Sequence, residues 1–177
     1  MRIFRFLILK NLLTYRKKGQ VFDIRFIISG LSYQYVSQFL KMVKKRFPSI
    51  DRVILIFWEV EAQAVKNLET VKVDYRQVRP YLEETHPLLK GIKEIRFYHF
   101  PLCTLSEKFW PYLWRTLPDK EVDFVKVCQE CRYKKYCLGV HKGYLEHMGA
   151  KEFAPIKKRL KIEETGDIYR PIGRVDS

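Results

Sequence analysis

The sequence has no apolar run long enough to cross a membrane. Its longest, Phe4 to Leu9 and Val53 to Trp58, fall far short of the roughly 20 residues a spanning helix needs. No secretory leader is expected either. Arg2 and Arg5 precede an apolar stretch, but Lys10 interrupts it, no small-residue cleavage site follows, and Arg16-Lys17-Lys18 comes next. These absences predict a cytoplasmic protein with no membrane partner. Acidic side chains are nearly missing from the first third. Residues 1–50 carry eleven basic side chains against Asp23 alone, a balance of +10, whereas residues 51–177 carry 23 against 19, only +4. There is no phosphate-cradling P-loop, no dinucleotide glycine fingerprint, no nucleophile–base arrangement and no internal repeat. A self-sufficient enzyme would therefore rest on fold analogy alone.

What is present is a chain of 177 residues, 47% apolar and 15% aromatic, enough to bury one domain's core and too apolar to remain disordered. Up to about residue 100 the pattern alternates between helix and strand periods. Ile3, Phe4, Leu7, Ile8, Asn11, Leu12 and Tyr15 recur at helical spacing. Val21 to Ser29 is β-branched and aromatic, bounded by Gly19 and Gly30, and reads as a buried strand. Tyr33 to Phe47 reads as an amphipathic helix stopped by Pro48, and Arg52 to Trp58 as a second buried strand. Asp74 to Glu84 is a helix with Pro80 as a break or kink, and Lys93 to Phe100 a third strand closed by Pro101.

Helix and strand alternating at this spacing predict an α/β fold with parallel strands and right-handed crossovers. Three strands cannot close a barrel, so the expectation is a partial, open sheet over residues 1–102. The helix before the first strand looks as if an earlier strand were missing. A cysteine-rich segment over residues 103–156 follows, and residues 157–177 read as a charged, peripheral or partly disordered tail.

All four cysteines lie beyond residue 100. Cys128, Cys131 and Cys137 form C-x2-C-x5-C, and Cys103 stands upstream at the end of the third strand. A metal centre needs thiolates converging on one point, C-x2-C presents two from a single turn, and a strand end is a rigid place for another. Three readings of the four compete with one another. A 4Fe–4S cluster accommodates uneven spacing. Structural zinc more often uses two paired knuckles, and only one pair is present. Disulfides, or simply buried thiols, complete the set. Lys126, Arg132, Lys134, Lys135 and Lys142 face only Glu130 over residues 126–145, which offsets a dianionic site of either metal. His141 and His147 follow the cysteines and read as ordinary polar histidines beside four thiols. Gly139, Gly143 and Gly149 read as places where backbone passes close to the site or turns left-handed.

The run Phe100-Pro101-Leu102-Cys103, then Cys128-x2-Cys131-x5-Cys137-Leu138-Gly139, then Tyr144 and Gly149, resembles the C-terminal part of radical S-adenosylmethionine enzymes with an auxiliary cluster of the SPASM or twitch type. The strands and helices upstream are similar to the last part of that family's partial (β/α) barrel. The resemblance covers about residues 1–155. It implies that Cys103, Cys128, Cys131 and Cys137 ligate an auxiliary 4Fe–4S cluster, which in the family serves electron transfer or substrate positioning. The departure is as informative. The family's C-x3-C-x2-C motif is absent, no cysteine occurs before Cys103, and those missing thiolates hold the cluster that cleaves S-adenosylmethionine. The resemblance therefore implies a half-barrel module unable to generate the radical alone: a separate polypeptide or split-gene product that pairs with a companion chain supplying the N-terminal half, or a degenerate paralogue.

Glu59 and Glu61, just after the second strand, occupy the carboxyl end where parallel sheets place ligands, and Gly30 to Gln34 occupy the equivalent loop after the first. Both read more simply as solvated loops. The alternative from another class is a zinc-containing nucleic-acid-binding protein. The basic first third would contact phosphates, and Tyr33, Tyr35, Trp110, Tyr133 and Tyr136 would stack on bases.

Overall fold

The computed structural model of the protein describes residues 13–15 and 17–176. The first expected helix lies outside them apart from residues 13–15. Four parallel strands form the central sheet in sequence order: β1 (Asp23–Ile28), β2 (Arg52–Phe57), β3 (Ile95–Tyr98) and β4 (Leu113–Trp114). Their register aligns apolar side chains in one row across the sheet, Phe26 to Leu55 to Phe97 to Leu113. Leu55 and Phe97 in that row are fully buried. The fold is thus mixed α/β on a four-stranded parallel sheet.

Crossovers between strands are helical, as parallel pairing requires. A 3₁₀ turn (Tyr33–Tyr35) leads into α1 (Val36–Arg46), which buries Val36, Leu40 and Val43 at helical spacing and ends in Lys44, Lys45 and Arg46, where cations suit the helix dipole. Between β2 and β3 run α2 (Ala62–Lys66), α3 (Leu68–Val71), α4 (Tyr75–Glu83) and α5 (His86–Leu89). A capping box starts α4: the Asp74 carboxylate accepts from the Gln77 amide nitrogen at 2.7 Å, and the Gln77 side chain accepts from the Asp74 backbone at 3.2 Å. The helix continues through Pro80 to Glu83. Pro80 is on the exposed face, where the helix bond it cannot donate is most easily replaced by water.

Three expectations are corrected. The segment around β1 is only half buried: Ile28 is enclosed, but Ile27 is 59% exposed and Val21 is exposed too. A run of β-branched residues looks the same at a sheet edge as at its centre, and β1 is an edge with no outer neighbour among the described residues. The sheet also has a fourth strand. Leu113–Trp114 is two residues long, too short for alternation to register in a sequence, and Trp114 is held by the Arg96 guanidinium 3.6 Å over its ring.

The third correction concerns the tail. The segment expected to be a peripheral or partly disordered tail is largely exposed up to residue 169 but includes an antiparallel hairpin, β7 (Lys161–Glu164) with β8 (Ile172–Asp176). Ile172 enters the main core, the Tyr133 hydroxyl donates to Lys158 O at 3.0 Å and accepts from Leu160 N at 2.6 Å, and Arg170 donates to Pro111 O at 2.9 Å. Low apolar content misled here because one buried isoleucine and a set of main-chain hydrogen bonds suffice to dock a hairpin. Between β4 and that hairpin lie the short strands β5 (Val122–Asp123) and β6 (Val140–His141), paired antiparallel, and α6 (Lys142–Met148). One apolar core extends from Ile28 through the sheet and the cysteine segment to Ile172.

Candidate functional site

Each cysteine sits on a tight turn that the local sequence closes. Pro101 O accepts from both the amide and the hydroxyl of Thr104, at 3.0 and 2.7 Å, and the Trp110 indole donates to Leu102 O at 3.1 Å, so the turn carrying Cys103 is pinned on two sides. Cys128, Cys131 and Cys137 follow one another along successive turns, with Cys131 N donating to Cys128 O and Cys137 N to Lys134 O. Past Cys137 the chain needs Gly139, whose φ is +88°. A Cβ there would also approach Asp123 O to 3.0 Å. The glycine expectation holds elsewhere in the segment, since Gly149 has a positive φ and Gly143 lies against backbone.

The fold gathers all four cysteines, from positions up to 34 residues apart, into the lining of one pocket of about 350 Å³ counting its open mouth. Phe124, Val140, Phe153 and Ile156 supply apolar walls, and Lys134 stands among the thiols. The cysteines are free thiols, so none of them forms a disulfide. Their sulfurs already receive main-chain donors. Cys137 Sγ accepts from Leu102 N at 3.4 Å and Gly139 N at 3.5 Å, and Cys103 Sγ accepts from the Ala154 backbone. Burial pushes the Cys103 thiol up to about 12 despite that bond, and the neighbouring thiols add to the effect. Cys137 and Cys128 are raised as well, again by burial first. Burial thus disfavours the thiolate form at these three positions, and a nearby positive centre would favour it.

No three His, Cys, Asp or Glu side chains among the described residues stand close enough to hold a single metal ion.

No protein-family model matches the chain, and no curated protein or solved structure matches it either.

The other sequence candidates separate. Gly30 to Gln34 is a structural turn: Ser32 Oγ accepts from Ser29 N at 2.9 Å and donates to Ile27 O at 2.6 Å, and Gly30 N is bonded to Val71 O. His147 is exposed near the end of α6. Of the proposed stacking aromatics, Trp110 and Tyr133 are buried against each other with ring centroids 5.1 Å apart, while Tyr35 is exposed. Among the described residues no helix is long and apolar enough to cross a membrane.

Glu59 has a partner that the sequence did not single out. His99, the first residue past β3, places Nδ1 3.1 Å from Phe57 O and 3.2 Å from Glu59 Oε1. Both neighbours are acceptors, so Nδ1 carries the proton and Nε2 the lone pair. The signal was positional: His99 follows β3 as Glu59 follows β2, one at each of two adjacent strand ends. Its φ of +68° is unusual for a residue with a side chain, and the Tyr75 hydroxyl fixes it by donating to His99 O at 2.7 Å.

Burial lowers the His99 imidazole to about 4, against the pull of its bond to Phe57 O. Glu59 is raised from the usual carboxylate range, first by burial and then by Glu61. Between pH 6.5 and 4 the unfolded chain protonates this histidine while the folded one does not. Its contribution to stability is therefore present at neutral pH and lost as pH falls through that window, by about 3 kcal/mol. Urea titrations at pH 7 and pH 4 should show a drop larger by about that amount in the natural protein than in His99→Gln. Equal drops would refute the assignment.

Proposed function

We propose that this chain is an iron–sulfur protein in which Cys103, Cys128, Cys131 and Cys137 hold a 4Fe–4S cluster. It would correspond to the C-terminal half-barrel portion of a radical S-adenosylmethionine enzyme. The observation that carries the reading is the convergence of four free thiols, and no spare cysteine, on one apolar-walled pocket. When bound, the cluster supplies one-electron transfer. The protein's part is to hold and tune it. Leu102 N, Gly139 N and the Ala154 backbone direct hydrogen bonds at two of the sulfurs, which stabilises the anionic form. Phe124 and Phe153 keep water away, and Lys134 offsets negative charge.

The chain lacks the three thiolates that would cleave S-adenosylmethionine, so in this reading it serves as an electron-transfer or substrate-binding module, or as one subunit of a split enzyme. A companion chain carrying the preceding strands is the partner that reading calls for. The outer edge of β1, unpaired among the described residues and flanked by exposed Val21, Ile27 and Leu31, supports such a partner. The nucleic-acid alternative rests on charge, since two of its five aromatics are enclosed. Anaerobic purification is the test. Brown protein with about four irons and four sulfides per chain is expected. Colourless protein that keeps one zinc after anaerobic reconstitution with iron and sulfide would overturn the proposal.

A further inference from the structure

The outer edge of β1 carries main-chain groups in a fixed alternation. Phe22 O accepts from Arg52 N at 3.2 Å and Ile28 O accepts from Trp58 N at 3.0 Å, so residues 22, 24, 26 and 28 turn their main-chain groups toward β2. Alternate residues of a strand bond to opposite sides, so Val21, Asp23, Arg25 and Ile27 turn theirs to the outer edge. Ile27 O is taken by the Ser32 hydroxyl at 2.6 Å, and no strand lies against the others among the described residues. The side chains divide in the same way. Ile24, Phe26 and Ile28 stand on the face that α1 covers, where Phe26 stacks on Phe39 with ring centroids 4.5 Å apart. Asp23, Arg25 and Ile27 stand on the other face. There Arg25 Nε lies 3.2 Å from Asp23 Oδ1, and Ile27 is 59% exposed.

Charges on an edge strand ordinarily keep other strands away, yet here their order suits one partner. A second β1 running antiparallel must set outward residues against outward residues, so the twofold axis passes through a residue and not between two. With the axis at Asp23 or at Arg25, like charges meet at the centre, which is unfavourable. With the axis at Phe22 or Phe26, Asp23 and Arg25 no longer face each other. With the axis at Ile24, every pair is complementary. Asp23 faces Arg25 of the second copy, Val21 faces Ile27, Phe22 faces Phe26, and Ile24 faces its own counterpart. Each Arg25 also touches Asp23 of its own strand, so the charges alternate in sign around a closed ring. Val21 and Ile27, both exposed in the single chain, cover one another. The engaged Ile27 O falls at the end of this ladder, where Ile27 N still meets Val21 O of the second copy.

We propose that β1 pairs antiparallel with β1 of a second copy of this chain, about a twofold axis at Ile24, making one sheet continuous through both. The interface uses no thiol and does not rest on the iron–sulfur reading, and a companion chain seated on this edge would have to displace the second copy. Sedimentation velocity of the full-length, anaerobically purified protein should show a dimer. Asp23→Arg and Arg25→Asp each set like charges opposite one another, and each should weaken dimerisation about tenfold or more. Both side chains reach solvent, at 27% and 61% exposure, so the fold should survive and circular dichroism should be unchanged. Mixed in equal amounts, the two variants should form a heterodimer, because two acids of one chain then face two arginines of the other. The double variant with both substitutions restores opposite pairs and should dimerise like the natural chain. A natural protein still monomeric at about 100 μM would overturn the proposal and leave the edge to a companion chain. Single variants that dimerise as well as the natural chain, or that stay apart on mixing, would overturn it too.

Discussion

Cys137→Ala should leave anaerobically reconstituted protein nearly free of iron, against about four irons per chain in the natural sequence. Cys137 is the thiol most integrated with its surroundings. Its sulfur receives the amides of Leu102 and Gly139, so it joins the turn that bears Cys103 to the turns that bear Cys128 and Cys131. Its loss removes one ligand and also the acceptor that draws those turns together. Because a buried cysteine contributes packing as well, Cys128→Ala is the companion variant. Its side chain is less deeply enclosed than that of Cys137, so the fold should survive while iron falls and the visible absorbance weakens. Iron and sulfide assays beside far-ultraviolet circular dichroism separate the two effects. Full iron content in both variants would remove these thiols from the ligand set.

Gly143→Ala should be the most disruptive glycine-to-alanine change among the described residues. At this position an added Cβ would stand 2.1 Å from Val60 O, well inside van der Waals contact, and 3.1 Å from His141 Cε1. The nearer obstacle is main chain, in the segment that joins β2 to α2, so relief requires moving backbone rather than rotating a side chain. Overpacking of this kind costs at least about 3 kcal/mol, a large share of a single domain's stability. Gly19→Ala provides the contrast. Its φ is +88° but nothing lies within 4 Å, so only the left-handed backbone penalty applies, about 1 kcal/mol. Urea midpoints for the two variants decide the matter. A Gly143→Ala protein as stable as Gly19→Ala would mean that the Val60 and Gly143 backbones are not packed this closely.

Much of the sheet was legible because its signals are local. Val53 to Phe57 is an apolar run of strand length, and Val36, Leu40 and Val43 repeat at helical spacing; both become buried as those patterns require. The Asp74–Gln77 capping pair sits within four residues. Legibility failed where the signal was short or the neighbours decided. Leu113–Trp114 shows no alternation because it has two residues, and Ile27 is exposed because β1 is an edge among the described residues, a property of strand order and not of composition. The final hairpin docks through Tyr133, Pro111 and Arg115, all distant in sequence.

The same division runs through the candidate sites. The cysteine spacing by itself determined which residues can act together as soft ligands, because thiols are few and chemically distinctive, and a C-x2-C turn presents two of them wherever it is placed. It also determined that the S-adenosylmethionine-cleaving motif is missing. Whether Cys103 reaches the other three was decided only by the tertiary structure, through the Pro101 turn, the Trp110 anchor and the amides that meet Cys137. The Glu59–His99 pair is tertiary altogether. Its members are 40 residues apart, and a glutamate or histidine alone is chemically ambiguous. Parallel strand order, which sets β2 beside β3, brings them together. Close approach of groups far apart in sequence is paid for by the packing of the whole core, which no local stretch of the sequence encodes.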